Sequence, residues 1–413
     1  MTERERAATL WLIAIVALGL LARSIVVLAS MDAAGANTFE YDRMARNLLA
    51  GRGYVYDHLE TTYHAFYSGA PFVLLLAAAY AVSGGSTIAA VALQSLSSAA
   101  LAVTIFAVAR RFGGDNAGWV AAVLVMFHPG FAFYDTRNVH SLSFDALAIA
   151  LTVLTLFRLR EAPSIGTAVA GGLAFGIAFL QRATMVLVPV VGLVWLLRTS
   201  WRGRGRVVPL AVAYALAALV VVTPLVARNW VVLGKPVLST TAAESLWRGN
   251  VADSLGGSYL ASGRRVFEAD SPFHAALLGR PEIEQARMFQ SAALAGIRTA
   301  PGAFVIAIMR KISIFWFFGP MSGFLYPAVY FYVYLTYYAI AVALAVVGIR
   351  YVWASRARRP GGVTALELTG AVAISVSLVQ SVFYVELRHR WGVEPLLLGV
   401  SAVGVSRLWQ GLD

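Results

Sequence analysis

Over 413 residues, 59% of the side chains are apolar and 13% are charged, where a soluble domain carries about 25% charged residues. So much apolar surface excludes a water-soluble globule and leaves lipid as the solvent. The absence of cysteine excludes disulfides, thiolate metal sites and catalytic thiols. The excess of 33 Lys+Arg over 21 Asp+Glu reads as the basic loops that orient a membrane protein, not as a nucleic-acid surface. A bias to Ala, Arg, Gly and Val points to a GC-rich bacterial genome.

The first apolar run extends from Thr9 to Ala29 behind Arg4 and Arg6, without a small-x-small cleavage site, and is read as an uncleaved span. Further spans are expected near 87–109, 115–134, 140–157, 164–181, 183–198, 207–227, 326–349, 363–384 and 391–406. The pair 164–181 and 183–198 is short for a bilayer crossing of about 20 residues and has to be a tight hairpin. Arg110 and Arg111, Arg158 and Arg160, Arg198 to Arg206, and Arg350 to Arg359 fall on alternate connections, with Arg407 on the same side. About ten spans, with both chain ends in the cytoplasm, satisfy the positive-inside rule. The expected fold class is therefore an all-α polytopic membrane protein, a single domain over 1–413.

Two apolar stretches fit poorly as spans. Pro71 to Val82 is too short, and Pro301 to Phe318 carries Arg310 and Lys311 in its middle, costly at bilayer depth. Both are read as helices along the outer face or as re-entrant pieces; as true spans they would raise the count to twelve. Two large loops, 30–86 and 228–325, are left outside, where functional groups are expected on a rigid scaffold.

The first of these loops opens with Asn37-Thr38-Phe39-Glu40-Tyr41-Asp42-Arg43-Met44-Ala45-Arg46-Asn47-Leu48-Leu49. Met44, Leu48 and Leu49 share a helical face, Asp42, Arg43 and Arg46 point away from it, and Gly51 or Gly53 ends the helix. Glu40 and Asp42 either serve as reactive carboxylates or simply favour the positive end of the helix. Arg182 lies at a hairpin apex, Arg228 ends the seventh span, and Arg388-His389-Arg390 stands where the ninth emerges, all on the outer side. Guanidinium in such places suits phosphate, which it binds bidentately, or else snorkels to headgroups. Asp145, near the outer end of the fourth span, needs a cavity or a partner. His64, His128 and His140 are a weak metal signal, and no structural metal site is expected.

Taken together, these segments resemble the GT-C integral membrane glycosyltransferases. The nearest branch holds the dolichyl-phosphate-mannose–protein mannosyltransferases and the lipid A aminoarabinose transferases. Glu40 to Tyr54 and Ser68-Gly69-Ala70-Pro71 are similar to that family's first outer loop. Thr223-Pro224-Leu225-Val226-Ala227-Arg228-Asn229-Trp230, with Ser239-Thr240 and Gly249-Asn250 behind it, resembles its Arg-Asn block. Arg388-His389-Arg390-Trp391 with Pro395 resembles its Glu-Arg-Tyr-x-x-Pro. The chain departs at Asn37, where the family usually has an Asp.

The resemblance implies transfer of a sugar from a polyprenyl-phosphate carrier to a lipid, polysaccharide or protein acceptor at the outer face of a bacterial inner membrane. Glu40 first, then Asp42, would deprotonate the acceptor. Arg228 first, then Arg182, Arg388 and Arg390, would hold the leaving phosphate. Asn37, Tyr41, Asp145, His64 and His389 would line the cavity. Some relatives use a divalent cation, but no ligand set in this chain demands one. The rival readings are a transporter or flippase of lipid-linked sugars, and a non-catalytic binder.

Overall fold

The computed structural model describes residues 3–30, 36–199, 204–267, 272–319 and 327–410. A long first helix, α1 (Glu3–Ser30), is followed by a short one, α2 (Glu40–Leu49), and a hairpin of β1 (Tyr56–His58) and β2 (Thr61–Tyr63). Then come α3 (Ala70–Ser83), α4 (Thr87–Gly113), α5 (Asp115–Met126), α6 (Pro129–Arg137), α7 (Leu142–Glu161) and α8 (Ile165–Gln181). A 3-10 turn (Ala183–Leu187) leads to α9 (Val188–Thr199) and α10 (Arg204–Leu233). The second large loop holds α11 (Thr241–Arg248), α12 (Pro272–Leu277) and α13 (Glu282–Thr299). The chain closes with α14 (Pro301–Trp316), α15 (Ala328–Ala354), α16 (Pro360–Val382), a 3-10 turn (Leu387–Gly392) and α17 (Glu394–Gln410). In the hairpin Tyr56 pairs with Tyr63 and His58 with Thr61.

Each of the ten expected spans coincides with a helix or a helix pair. Among the described residues six helices are long and apolar enough to cross a bilayer, or eight if each of two bent pairs counts as one. Of the ten, α8, α9 and α17, with 17, 12 and 17 residues, fall short of the roughly 20 that a crossing needs, and the second bent pair, α13 with α14, was not among the expected spans. Burial sorts the spans into layers. The apolar window of α1 is 11% buried and that of α10 17%, against 72% for α7 and 67% for α4. In water the outer helices would leave rows of Leu, Ile and Val uncovered; in lipid they are solvated. The chain is an integral, multi-pass membrane protein.

Close helix approach relies on small residues, the usual device where no hydrophobic force draws helices together. A Cβ on Gly172 of α8 would stand 2.1 Å from the Tyr214 carbonyl of α10. A Cβ on Gly348 of α15 would stand 2.2 Å from the Val400 carbonyl of α17. The pair α5 and α6 bends by 42° at Pro129, which lacks the N–H that would continue the ladder. His128 caps the new start: its Nδ1 accepts from the Phe131 N–H at 3.1 Å, leaving Nε2 to donate to Glu394 at 3.0 Å.

At one end of the bundle Arg111 meets Glu161 at 2.7 Å, Arg198 meets Glu367 at 3.8 Å, and the Trp195 indole donates to the Thr364 carbonyl at 2.9 Å. This arginine-rich end gathers α4, α7, α9 and α16. The two large loops lie at the opposite end, matching the alternation of charge. Of the two poorly fitting stretches, the first is α3, packed on α2 and α4. The second is α14, set at 107° to α13. Its Lys311 is fully buried, donating to Asn250 Oδ1 at 2.8 Å and to the Gly249 carbonyl at 3.2 Å.

Candidate active site

The two large loops are joined by a dense hydrogen-bond seam. Arg228, at the end of α10, donates to the Tyr54 carbonyl at 3.0 Å, to Asn229 Oδ1 at 2.9 Å and to the His64 carbonyl. Asn229 is fully buried and donates to the Val237 carbonyl at 2.8 Å. The hydroxyls of Ser239 and Thr241 both donate to the Phe66 carbonyl at 2.6 Å, and the Thr240 N–H donates to the Ala65 carbonyl at 2.8 Å. From α13 the Glu282 carboxylate accepts the His64 and Ala65 N–H groups at 2.6 and 2.9 Å and the Thr240 hydroxyl at 2.7 Å. The Arg-Asn and Ser-Thr motif thus fastens one loop to the other.

Helix α2 begins at Glu40, buries Met44 and Ala45 completely, and ends before Gly51 and Gly53, whose φ of 76° and 86° suit glycine. Asp42 does not face outward with Arg43. It is 3% exposed, accepts the Tyr80 hydroxyl of α3 at 2.6 Å and pairs with Arg46 at 3.0 Å. Its carboxylate is committed to packing α2 on α3.

A cavity of about 480 Å³ opens where α2, the loop-side ends of α7, α8 and α16, and the strand-like segment 254–267 converge. Glu40, Tyr41, Asp145, Arg182, Arg388 and His389 all line it. Among the described residues the Glu40 carboxylate takes no hydrogen bond and no ion pair. Asp145 is 1% exposed and accepts from Arg182 Nε at 2.8 Å and from Gln181 Nε2 at 2.9 Å. Arg388 donates to the Tyr134 hydroxyl at 3.1 Å and pairs with Glu386 at 2.7 Å, while Glu386 also accepts the Ser258 hydroxyl.

His389 accepts the Glu386 N–H on Nδ1 at 3.1 Å, which leaves its proton on Nε2. Burial, with the charges of Arg182, Arg388 and Arg248 around it, holds its pKa well below the usual 6.5. His140, edge-on to Tyr41 with ring centroids 5.3 Å apart, is held down in the same way by burial and by Arg388 and Arg182. Both imidazoles are neutral at neutral pH, so the positive field of the cavity comes from guanidinium.

Four other expected site residues stand apart from the cavity. Arg228 is spent on the seam. Arg390 is fully buried, bound to Glu394 at 3.1 Å, the Tyr334 hydroxyl at 2.7 Å and the Phe317 carbonyl at 2.9 Å. Asn37 pairs through its backbone with Arg137 and Val139 at 2.8 Å each, and its amide donates to Asn138 at 3.3 Å. His64 contributes its main chain to the seam. The cavity instead recruits Gln181, Arg248, Arg265 and Glu386, which sequence reasoning passed over. Position was the available signal: Gln181 precedes Arg182, Glu386 stands two before Arg388, and Arg248 abuts Gly249-Asn250. Among the described residues no group of three His, Asp or Glu side chains could hold a metal ion.

Residues 69–227 match the family model described as dolichyl-phosphate-mannose-protein mannosyltransferase. No curated protein matches the chain. The fold is similar to that of the archaeal oligosaccharyltransferase AglB from Archaeoglobus fulgidus, solved with an inhibitory peptide and a dolichol-phosphate. The TM-score is 0.57 at 11% identity, over 97% of this chain and 51% of that one. An oligosaccharyltransferase structure from the same organism, tethered with an acceptor peptide, gives 0.59 at 13% identity over 97% and 50%. ArnT from Cupriavidus metallidurans, bound to undecaprenyl phosphate, gives 0.40 at 18% identity over 97% and 79%. The chain spans about half the length of the oligosaccharyltransferases that it matches. Residues 69–227 are thus similar to that mannosyltransferase family, and the likeness to the oligosaccharyltransferases is one of fold.

Proposed function

We propose that the protein transfers a sugar from a polyprenyl-phosphate carrier to an acceptor at the outer face of a bacterial inner membrane, with the loop-bearing end outside. The observation that carries this reading is the Glu40 carboxylate, unpartnered among the described residues, in one cavity with Arg182 and Arg388. A carboxylate free of ion pairs is available to take the proton of an acceptor hydroxyl as it attacks the anomeric carbon. The sugar–phosphate oxygen bond then breaks, and negative charge builds on the lipid phosphate. Arg182 and Arg388, both lining the cavity, stabilise that charge. Asp145 orients Arg182, and the neutral His389 is placed to donate from Nε2 to a phosphate or sugar oxygen. The dolichol-phosphate held by the oligosaccharyltransferase of the same fold supports a lipid phosphate as the carrier.

The test is turnover of synthetic polyprenyl-phosphate sugars by purified protein. Glu40→Gln is expected to bind donor as the wild type does while losing about a hundredfold or more in kcat, the usual worth of a general base. Asp42→Asn should act chiefly on stability. If Glu40→Gln turns over normally, the catalytic assignment falls. If no acceptor pool supports release of polyprenyl phosphate by the wild type, transport or binding of lipid-linked sugar takes its place.

A further inference from the structure

Arg248 is the cavity's largest unexplained feature. It rises from the last turn of α11, in the second large loop, and its guanidinium lies over the rings of Phe267 and Tyr384 at 5.2 and 5.1 Å. A guanidinium has five N–H donors, yet among the described residues only the Glu244 carboxylate accepts from it. Its Nε–H is buried without a partner. Glu244 is itself 6% exposed, and its other oxygen lies 3.3 Å from His58 Nε2 on the hairpin of the first loop. Burial pulls that carboxyl up, but His58 and Arg248 outweigh it and keep it below the usual carboxylate range. An ionised acid therefore fixes Arg248 in place while most of its donors stay open.

The setting of this arginine differs from that of Arg182 and Arg388. Arg182 directly follows α8, and Arg388 lies in the 3-10 turn between α16 and α17. Arg248 belongs to the second large loop, as does Arg265, which is exposed on the cavity wall. Each of these three half-buried guanidiniums also has its own acid, Asp145, Glu386 or Glu244, so none has to surrender its counterion to another.

We infer that Arg248, oriented by Glu244 and His58, is a second anion-binding residue and receives a carboxylate or phosphate carried by the acceptor. This deepens the proposed function, on which the word acceptor rests: it selects acceptors bearing a negative substituent near the hydroxyl that is glycosylated. Glu244 and His58 are positioning residues.

The test uses full-length protein in lipid nanodiscs, with undecaprenyl phosphate as the lipid probe and glucose 6-phosphate against glucose as sugar probes. Binding is measured with and without the lipid phosphate. Glucose 6-phosphate is expected to bind alongside undecaprenyl phosphate, and roughly tenfold more tightly than glucose, as one charge-assisted contact warrants. Arg248→Gln should erase that preference and Arg248→Lys should keep part of it, with undecaprenyl phosphate affinity unchanged in both. The Arg248→Gln, Glu244→Gln pair, which leaves no lone buried acid, guards against misfolding and should lose the preference too. Displacement of undecaprenyl phosphate by glucose 6-phosphate, or a preference that survives Arg248→Gln, overturns the inference. If the wild type ignores undecaprenyl phosphate but keeps an Arg248-dependent preference, the lipid-carrier reading fails and the second anion site stands.

Discussion

Arg182, Arg228 and Arg390 look alike in the sequence, each a cation on the side where cations are rare. The fold separates them by what surrounds each guanidinium. Arg228 meets carbonyls, Arg390 meets Glu394 and tyrosines deep in the bundle, and only Arg182 opens on the cavity. Long-range partners decide this, and no local pattern reports them. Glu40 was legible because its neighbours in the chain set its place at a helix start, whereas the inward turn of Asp42 depended on Tyr80, 38 residues away. The two cavity histidines give a prediction at this scale. Their native pKa values lie below the 6.5 of the unfolded chain, so as pH falls below 6.5 the unfolded chain binds protons that the folded one refuses. Stability is therefore fullest above pH 6.5 and declines below it, until the native values are reached. Thermal unfolding of detergent-solubilised protein between pH 8 and pH 5 should show this decline. His389→Asn should flatten part of it; an equal decline in the variant would clear His389 of the effect.

Among the elements, apolar runs and their caps were easy to place because each span is long relative to its flanks. The breaks were harder. The segment 115–134 reads as one hydrophobic run, yet Pro129 removes an N–H and His128 supplies the cap that lets the chain turn. Lys311 warned against a span at 301–318, and its burial against Asn250 and the Gly249 carbonyl shows why a cation is tolerated there. Helix contacts left no trace in hydropathy, since glycine is neither strongly polar nor strongly apolar. Gly172→Leu, forced against the Tyr214 carbonyl, should cost about 1–3 kcal/mol or more as overpacking. Gly166→Ala, in open surroundings on the same helix, serves as the control. Equal melting temperatures for the two variants would mean that α8 and α10 are not packed as described.

At the scale of the molecule, charge was the most informative pattern. Alternate connections carrying arginine predicted one end of the bundle, and the pairs Arg111–Glu161 and Arg198–Glu367 lie together there. Orientation can be read directly because the chain has no cysteine. A membrane-impermeant maleimide should label Ser262→Cys in intact cells, and Ala357→Cys only after permeabilisation; both are exposed positions. The reverse pattern would place the loops in the cytoplasm.

The seam between the loops has a consequence for how such a protein can change over time. Residues 54–66 offer carbonyls and amides that are met by Arg228, Ser239, Thr240, Thr241 and Glu282. Neither loop can drift alone without orphaning partners in the other. New acceptor preferences would have to arise within the cavity lining or by joint replacement of both loops, so a chimaera that exchanges the first loop must carry the second along with it.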